Sequence, residues 1–155
     1  MTTIKRTALI TGASAGIGAS FAKFLAAQGY DLLLVARRAE RLNELANELT
    51  QLYPIKCAVF AADLTDAKAP AAIMAFAQEQ GIVIDMLINN AGLSGKTAFA
   101  QTPWQELANE IQLMVTAVTE LAHRVVPSMK QQGWGRIINL SSLAAFSPPA
   151  ASLLY

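Results

Sequence analysis

The sequence has 155 residues, of which 54% are apolar and 15% charged, and its formal net charge of +1 excludes the broad basic surface of a nucleic-acid-binding protein. No apolar run approaches the roughly 18 residues of a membrane-spanning helix, so neither nucleic acid nor a membrane is an expected partner. A chain of this length can bury a core of its own, and we expect a single domain over residues 1–155.

Short apolar segments alternate with longer segments of helical spacing along the whole chain. The apolar segments predict five β-strands, at Thr7–Thr11, Asp31–Ala36, Ile55–Phe60, Met86–Asn89 and Arg136–Leu140. The longer segments predict four helices. The first has Ile17, Phe21, Phe24 and Leu25 on one face, and the second has Leu42, Leu45 and Leu49 on one face. The third spans Ala67–Gln80, and the fourth runs from the Thr102 cap and Pro103 to about Gln132, with a bend near Pro127. This alternation predicts an α/β fold, a Rossmann-like doubly wound parallel sheet with helices on both faces.

A glycine-rich loop, Thr11–Gly18, connects the first strand to the first helix. Its GxxxGxG spacing is wider than the GxGxxG of the common dinucleotide fingerprint. Glycine permits a sharp turn and lets a phosphate approach the backbone, and the helix N-terminus adds free N–H groups and the positive end of its dipole. We therefore predict that the loop binds the pyrophosphate of a dinucleotide. A simple tight turn is the alternative.

Several motifs agree with this loop, and together they resemble the short-chain dehydrogenase/reductase family from about Thr7 to the last residue. They are TGxxxGxG at Thr11, Gly12, Gly16 and Gly18, the pair Asp63-Leu64 after the third strand, Asn89-Asn90-Ala91-Gly92 at the end of the fourth, and Ser142 and Tyr155 at the family's spacing. The resemblance implies that Asp63 contacts adenine. It further implies a nicotinamide cofactor bound by Thr11, Gly12, Ser14, Gly16, Ile17, Gly18, Asp63, Leu64, Asn90, Ala91 and Gly92.

The end of the second strand distinguishes NAD from NADP. A carboxylate at this point would accept a hydrogen bond from the ribose 2′-hydroxyl and would repel a 2′-phosphate. The chain has Ala36-Arg37-Arg38 here, and guanidinium groups bind phosphate with two parallel hydrogen bonds. We therefore predict NADP as the cofactor, with Ser14 as a further donor. Solvated arginines at the start of a charged helix are the alternative.

The resemblance implies hydride transfer between the nicotinamide and a carbonyl or secondary alcohol substrate. Tyr155 would be the proton donor, and Ser142 would hydrogen-bond the substrate oxygen. A free tyrosine ionises only near a pKa of about 10, so this chemistry needs a nearby cation, which the family supplies as a lysine four residues after the tyrosine. The chain ends at Tyr155. Met114 also stands where the family has an asparagine that anchors a water in the proton relay.

These departures leave other functions open. The chain could bind NADP without turnover, or it could be a fragment that folds poorly. For Ser142 the alternative role is an ordinary serine at a strand end, and for Tyr155 a terminal residue.

We expect a shortened version of the family fold, which ends after the fifth strand. The strand Arg136–Leu140 would then form an exposed apolar edge, and one face of the fourth helix would lose its cover. In the family that helix contributes to a dimer interface, so the resemblance implies a homo-oligomer for the full-length form.

Two further expectations follow from single residues. Cys57 is the only cysteine, so no internal disulfide can form, and we expect a reducing, cytoplasmic setting. His123 has no cysteine, histidine or carboxylate at ligand spacing, so we expect no metal site.

Overall fold

The computed structural model describes residues 5–93 and 98–146, so the predicted site residue Tyr155 lies outside the described residues. Within them the strands are β1 (Thr7–Thr11), β2 (Asp31–Ala36), β3 (Cys57–Ala61), β4 (Met86–Asn89) and β5 (Arg136–Asn139). The helices are α1 (Gly16–Ala27), α2 (Ala39–Leu52), α3 (Ala69–Glu79), α4 (Trp104–Ile111) and α5 (Ala117–Gln132). Short 3₁₀ turns lie at Phe99–Gln101 and Leu143–Ala145.

The strands form one parallel sheet in the order β3-β2-β1-β4-β5. From β1 the chain adds β2 and β3 on one side, then returns to add β4 and β5 on the other. Ile10 of β1 thus pairs with Leu34 of β2 and with Ile88 of β4. The sheet order therefore reverses at β1, and the predicted Rossmann-like, doubly wound fold is confirmed.

Each face of the sheet is covered by helices that bury a separate apolar cluster. Alternate β1 side chains enter different clusters: Ala8 and Ile10 pack against α1 and α2, whereas Leu9 packs against α3 and α5. Burial on both faces explains why the strands read as continuous apolar segments without polar alternation.

Helix α1 contacts the sheet through part of the predicted face: Leu25 is buried and Phe21 packs against the core, whereas Ile17 and Phe24 are exposed. Ile17 and Phe24 are 62% and 63% exposed, and the buried positions are Gly18, Ala22, Leu25 and Ala26. Small side chains at Gly18, Ala22 and Ala26 allow α1 to lie close to the strands, so bulk alone does not mark its inner face. In α2 the predicted face is correct, because Leu42, Leu45 and Leu49 are all buried.

The predicted fourth helix is two α-helices joined by a π-helical turn. This turn spans Gln112–Thr116 between α4 and α5. The predicted cap is also wrong: Pro103 occupies the cap position, and the Thr102 hydroxyl donates to Ala98 O at 3.2 Å. The C-terminal end is as predicted, since Gly133 ends α5 with a φ of +69°.

Smaller shifts affect the boundaries of β3, α3 and β5. β3 begins at Cys57 rather than at residue 55, and α3 begins at Ala69 rather than at residue 67. Lys56 directly precedes β3: its N–H donates to the Asp31 carboxylate at 2.7 Å, and its carbonyl accepts from Leu32 N–H at 2.9 Å. β5 ends at Asn139, and Leu140 N–H still donates to Asn89 O.

Strand β5 is an edge of the sheet in the described residues, and all four of its residues are exposed, including Ile137 and Ile138. The predicted apolar edge is thus present in this part of the chain. No helix in residues 5–93 and 98–146 has the length and apolar character to cross a membrane.

Candidate functional site

The turn from β1 into α1 requires glycine at three positions, and Gly16 is one of them because its φ is +56°. Gly12 has a φ of +67°, and a Cβ there would lie 2.7 Å from Asn90 Nδ2. A Cβ on Gly18 would collide with Gly12 O and would lie 2.5 Å from Asn90 Nδ2. The loop, the start of α1 and the end of β4 are therefore packed together without space for side chains.

Hydrogen bonds fasten this loop to the segment that follows β4. The buried Thr11 Oγ1 accepts from the backbone N–H groups of Asn90 and Ala91, both at 3.0 Å, and donates to Ile88 O at 3.3 Å. In return, Asn90 Nδ2 donates to Thr11 O at 2.9 Å and to Gly12 O at 3.2 Å. Thr11 and Asn90 thus shape the loop from within, a role that their sequence motifs alone did not predict.

The N-terminus of α1 is free to receive an anion. Its cap residue, Ala15, has an extended backbone and supplies no side-chain cap, and the first turn carries no acidic residue. The N–H groups of this turn therefore keep their capacity to donate, and the helix dipole adds positive potential. Gly16 and Ile17 begin the helix at this point.

Two consecutive arginines follow β2. Arg38 Nη2 donates to Ser14 Oγ of the glycine loop at 3.1 Å, so the two predicted phosphate-binding residues lie together. Arg37 lies on the same rim and interacts electrostatically with Asp63. No carboxylate occupies the first two positions after β2, and the nearest one in sequence is Glu40 in the first turn of α2.

Asp63 is held in one orientation after β3. Its Oδ1 accepts from Thr65 N–H at 3.0 Å and from Thr65 Oγ1 at 2.8 Å. The backbone N–H of Thr65 lowers the pKa of the Asp63 carboxyl most, against partial burial that raises it, and the Thr65 hydroxyl and the charge of Arg37 lower it further. This side chain is therefore a fixed, ionised acceptor.

A cleft of about 360 Å³ lies at the carboxyl ends of the central strands. Ten of the predicted cofactor residues line it: Gly12, Ser14, Ile17, Arg37, Arg38, Asp63, Leu64, Asn90, Ala91 and Gly92. Thr11, Gly16 and Gly18 do not line it. The lining residues that the cofactor prediction missed are Ala15, Val35, Ala36, Ala62, Thr65, Leu93 and Leu113.

The chemistry of this cleft fits NADP. An uncapped helix start fits a pyrophosphate, the Arg38–Ser14 pair fits a phosphate monoester, and the apolar walls fit a heterocyclic base. Leu113 also lines the cleft, although it belongs to the π-helical turn between α4 and α5. No sequence motif indicated this position.

Ser142 lies outside this cleft. It follows β5 in an extended conformation, and its Oγ accepts from Ala144 N–H at 3.1 Å, which caps the 3₁₀ turn that follows.

Met114 lies in the π-helical turn and packs against the apolar cluster beneath α3 and α5. Its thioether is only a weak acceptor, so it does not reproduce an asparagine amide.

Asn89, the first residue of the NNAG motif, connects β4 to β5. Asn89 and Asn139 are the last residues of the two strands and lie opposite each other. The Nδ2 of Asn89 donates to Asn139 Oδ1 at 2.9 Å. The described part of the chain contains no group of three or more potential metal ligands, and His123 is exposed.

Comparison with known proteins agrees with this geometry. The family model for short chain dehydrogenase matches residues 6–155. The chain therefore belongs to the short-chain dehydrogenase family.

Individual relatives are similar over most of this chain. A very-long-chain 3-oxoacyl-CoA reductase from Pyrenophora tritici-repentis is 37% identical over 91% of this chain and 42% of its own length. A bulky-bulky ketone specific alcohol dehydrogenase from Comamonas testosteroni has a TM-score of 0.90 at 38% identity, over 99% of this chain and 61% of that one. A short-chain dehydrogenase from Sphingobium yanoikuyae in complex with NADPH has a TM-score of 0.87 at 39% identity, over 95% of this chain and 57% of that one. The chain thus spans about half the length of these proteins.

Proposed function

We propose that this chain is the NADP-binding domain, over residues 1–155, of an oxidoreductase that acts on a ketone, an aldehyde or a secondary alcohol. The observation that carries the proposal is the hydrogen bond between Arg38 and Ser14 at the rim of the cleft. This pair supports NADP, because a cation and a hydroxyl lie beside the end of β2, where an acidic residue would favour NAD.

In this proposal, different residues of the cleft bind different parts of the cofactor. The N–H groups at the start of α1, around Gly16, hold the pyrophosphate, and the two arginines hold the 2′-phosphate. Asp63 and Leu64 contact adenine. Asn90, Ala91 and Gly92 flank the adenosine and nicotinamide parts, while Thr11, Gly12 and Gly18 keep the loop in shape.

Ser142 and Tyr155 are the catalytic residues in this proposal. The Ser142 oxygen already accepts a hydrogen bond from Ala144, so its own O–H remains to donate to the substrate oxygen. Tyr155 donates a proton to the same oxygen when a carbonyl is reduced. The bound cofactor supplies the hydride.

The names of the relatives support this reaction class. One of them is described as a ketone-specific alcohol dehydrogenase, another as a 3-oxoacyl-CoA reductase, and a third was solved with NADPH.

For the whole protein we propose a homo-oligomer in a reducing, cytoplasmic setting. The exposed side chains of Trp104 and Val115 favour self-association.

Equilibrium titration with NADPH and NADH, followed by cofactor fluorescence, tests the choice of cofactor. We expect NADPH to bind at least about tenfold more tightly, the difference that one charge-assisted contact provides. Equal affinities, or tighter binding of NADH, would contradict the proposal.

A second candidate function is NADP binding without turnover, and Met114 favours it. This residue places an apolar side chain in the π-helical turn where the family has the relay amide. Measuring NADPH oxidation with a panel of ketones and aldehydes separates the two functions. Cofactor binding without oxidation of NADPH by any carbonyl compound would favour this second function.

A further inference from the structure

Two arginines lie over the ring of one tryptophan at the edge of the sheet where the strands begin. The Cζ of Arg6 is 3.6 Å from the centroid of the Trp134 ring, and the Cζ of Arg136 is 5.1 Å from it. Both distances fall within the roughly 6 Å of a cation–π interaction. Arg6 precedes β1 and Arg136 begins β5, with β4 between the two strands. The ring therefore connects the starts of two strands that do not pair with each other.

The turn that carries Trp134 is fixed on the end of α5. Gly133 ends the helix, and a Cβ on Gly135 would lie 2.5 Å from the Met129 side chain. Trp134 N–H donates to Met129 O at 3.1 Å, and Met129 is itself buried in the apolar cluster beneath α5. The backbone on both sides of the ring is therefore held in one place.

Strand β5 has little packing of its own to fix its register. Its four side chains are exposed, and in the described residues it pairs with β4 alone. Register is weakly specified in a strand with neither face buried, because a shift by two residues, about 6.6 Å, forms the same ladder again. At its far end the Asn89–Asn139 bond joins β5 to β4. At its start, the contact between Trp134 and Arg6 is the corresponding side-chain attachment.

The register of β5 matters because Ser142 follows this strand directly. A slip by a single residue would move Ser142 about 3.3 Å along the strand direction. Misplacement of a reacting group by about 1 Å can already cost about 100-fold in rate. The position of β5 therefore decides whether the Ser142 hydroxyl reaches the substrate oxygen.

We propose that Trp134 is a positioning residue: its ring, held by Arg6, fixes the register of β5 and thereby the position of Ser142. Arg6 contributes more than Arg136, because Arg6 lies closer to the ring and before another strand, whereas Arg136 belongs to β5 and moves with it. The part of this proposal that concerns Ser142 rests on the proposed function, and the part that concerns β5 does not.

Amide hydrogen exchange in ¹⁵N-labelled variants tests the proposal. Trp134→Leu keeps an apolar side chain without a ring, Trp134→Phe keeps a ring, and Arg6→Gln removes the cation. Phe24→Leu is the matched control, because Phe24 is an aromatic residue of α1 that is 63% exposed and contacts neither arginine. Circular dichroism melts check that every variant folds.

Three amides with known acceptors supply the readout. Those of Arg136 and Leu140 donate to Asp85 O and Asn89 O and report on the two ends of β5. The amide of Leu32 in β2 donates to Lys56 O and serves as the reference.

We expect Trp134→Leu to accelerate exchange at both ends of β5 at least about tenfold relative to the reference amide, and Trp134→Phe to do so less than about threefold. Arg6→Gln should accelerate it as well, but should add little when Trp134→Leu is already present. Phe24→Leu should leave the ratio unchanged.

Steady-state kinetics with NADPH and a ketone test the effect on Ser142. Trp134→Leu should lower kcat at least about tenfold, and Trp134→Phe should restore most of it. The affinity for NADPH should not change, because the residues that line the cofactor cleft include none of β5.

Equal acceleration of all three amides in Trp134→Leu, or no acceleration, would overturn the proposal. Faster exchange in β5 at an unchanged kcat would overturn the link to Ser142. Failure of the proposed function looks different, because the wild-type chain would then not oxidise NADPH with any carbonyl compound. The link to Ser142 would fall with that function, while exchange in β5 would still depend on Trp134.

Discussion

At the scale of single residues, the hydroxyl of Thr11 holds the glycine loop against the end of β4. It is 1% exposed and accepts two backbone N–H groups. We expect Thr11→Val to lower the free energy of unfolding by about 1–3 kcal/mol, since valine keeps the shape but leaves both N–H groups unpaired. Urea denaturation measures this loss.

Thr11→Ser is the matched control, because it keeps the hydroxyl and removes only a methyl group. Valine should therefore be the more destabilising replacement. A Thr11→Val chain at least as stable as Thr11→Ser would refute the role of the hydroxyl.

The Asp63 carboxyl gives the chain a pH dependence in the acid range. Its pKa is lowered in the folded chain, chiefly by the Thr65 N–H, from an unfolded value of about 3.9. The stabilisation is therefore fully present above the unfolded pKa and is lost as the pH falls through the lower folded pKa. We expect Asp63→Asn to show a shallower loss of stability below about pH 4, measured by urea denaturation across pH. Parallel wild-type and variant curves would contradict this.

At the residue scale, the sequence motifs predict most of the residues that line the cleft but not the hydrogen bonds that each one makes. Ten predicted residues line the cleft, because the family motifs mark the strand ends that meet there. The internal bonds of Thr11 and Asn90 are invisible in the sequence, since they join residues nearly eighty positions apart. Ser142 and Tyr155 remain predictions.

At the scale of elements, α1 packs against the glycine loop at Gly18. We expect Gly18→Ala to lower the free energy of unfolding by about 1–3 kcal/mol, because the added methyl meets the Gly12 carbonyl and the Asn90 amide. NADPH affinity should fall with it, since the loop must move. Urea denaturation and NADPH titration measure the two effects.

Ser20→Ala provides the control on the same helix, since Ser20 is exposed and its hydroxyl only donates to Gly16 O. It should change both quantities little. Gly18→Ala with wild-type stability and affinity would show that α1 does not pack as described.

Helical periodicity was a reliable guide for α2 and a poor one for α1. In α2 three leucines at helical spacing are buried, because the helix is otherwise charged and has one apolar face. In α1 nearly all residues are apolar or small, so periodicity alone could not separate the buried Ala22 from the exposed Phe24. The π-helical turn carries no glycine or proline that would have indicated it.

At the scale of the whole molecule, the alternation of strands and helices was sufficient to predict the parallel sheet with helices on both faces. Parallel strands bring their carboxyl ends to one edge, and the reversal of strand order at β1 opens a cleft there. The approach of Arg38 to Ser14, and of Leu113 to the cleft, depends on how separate elements pack. Such contacts join residues that are distant in sequence, so no local pattern predicts them.

The central claim is that NADP binds across this edge, and chemical-shift mapping tests it most directly. In ¹⁵N-labelled protein titrated with NADPH, we predict the largest amide shifts at 12–18, 37–38, 63–65 and 90–92. NADH should reproduce these shifts except for the strongest changes near Ser14 and Arg38. Shifts concentrated at the opposite edge of the sheet, around Lys5 and Lys56, would contradict the account.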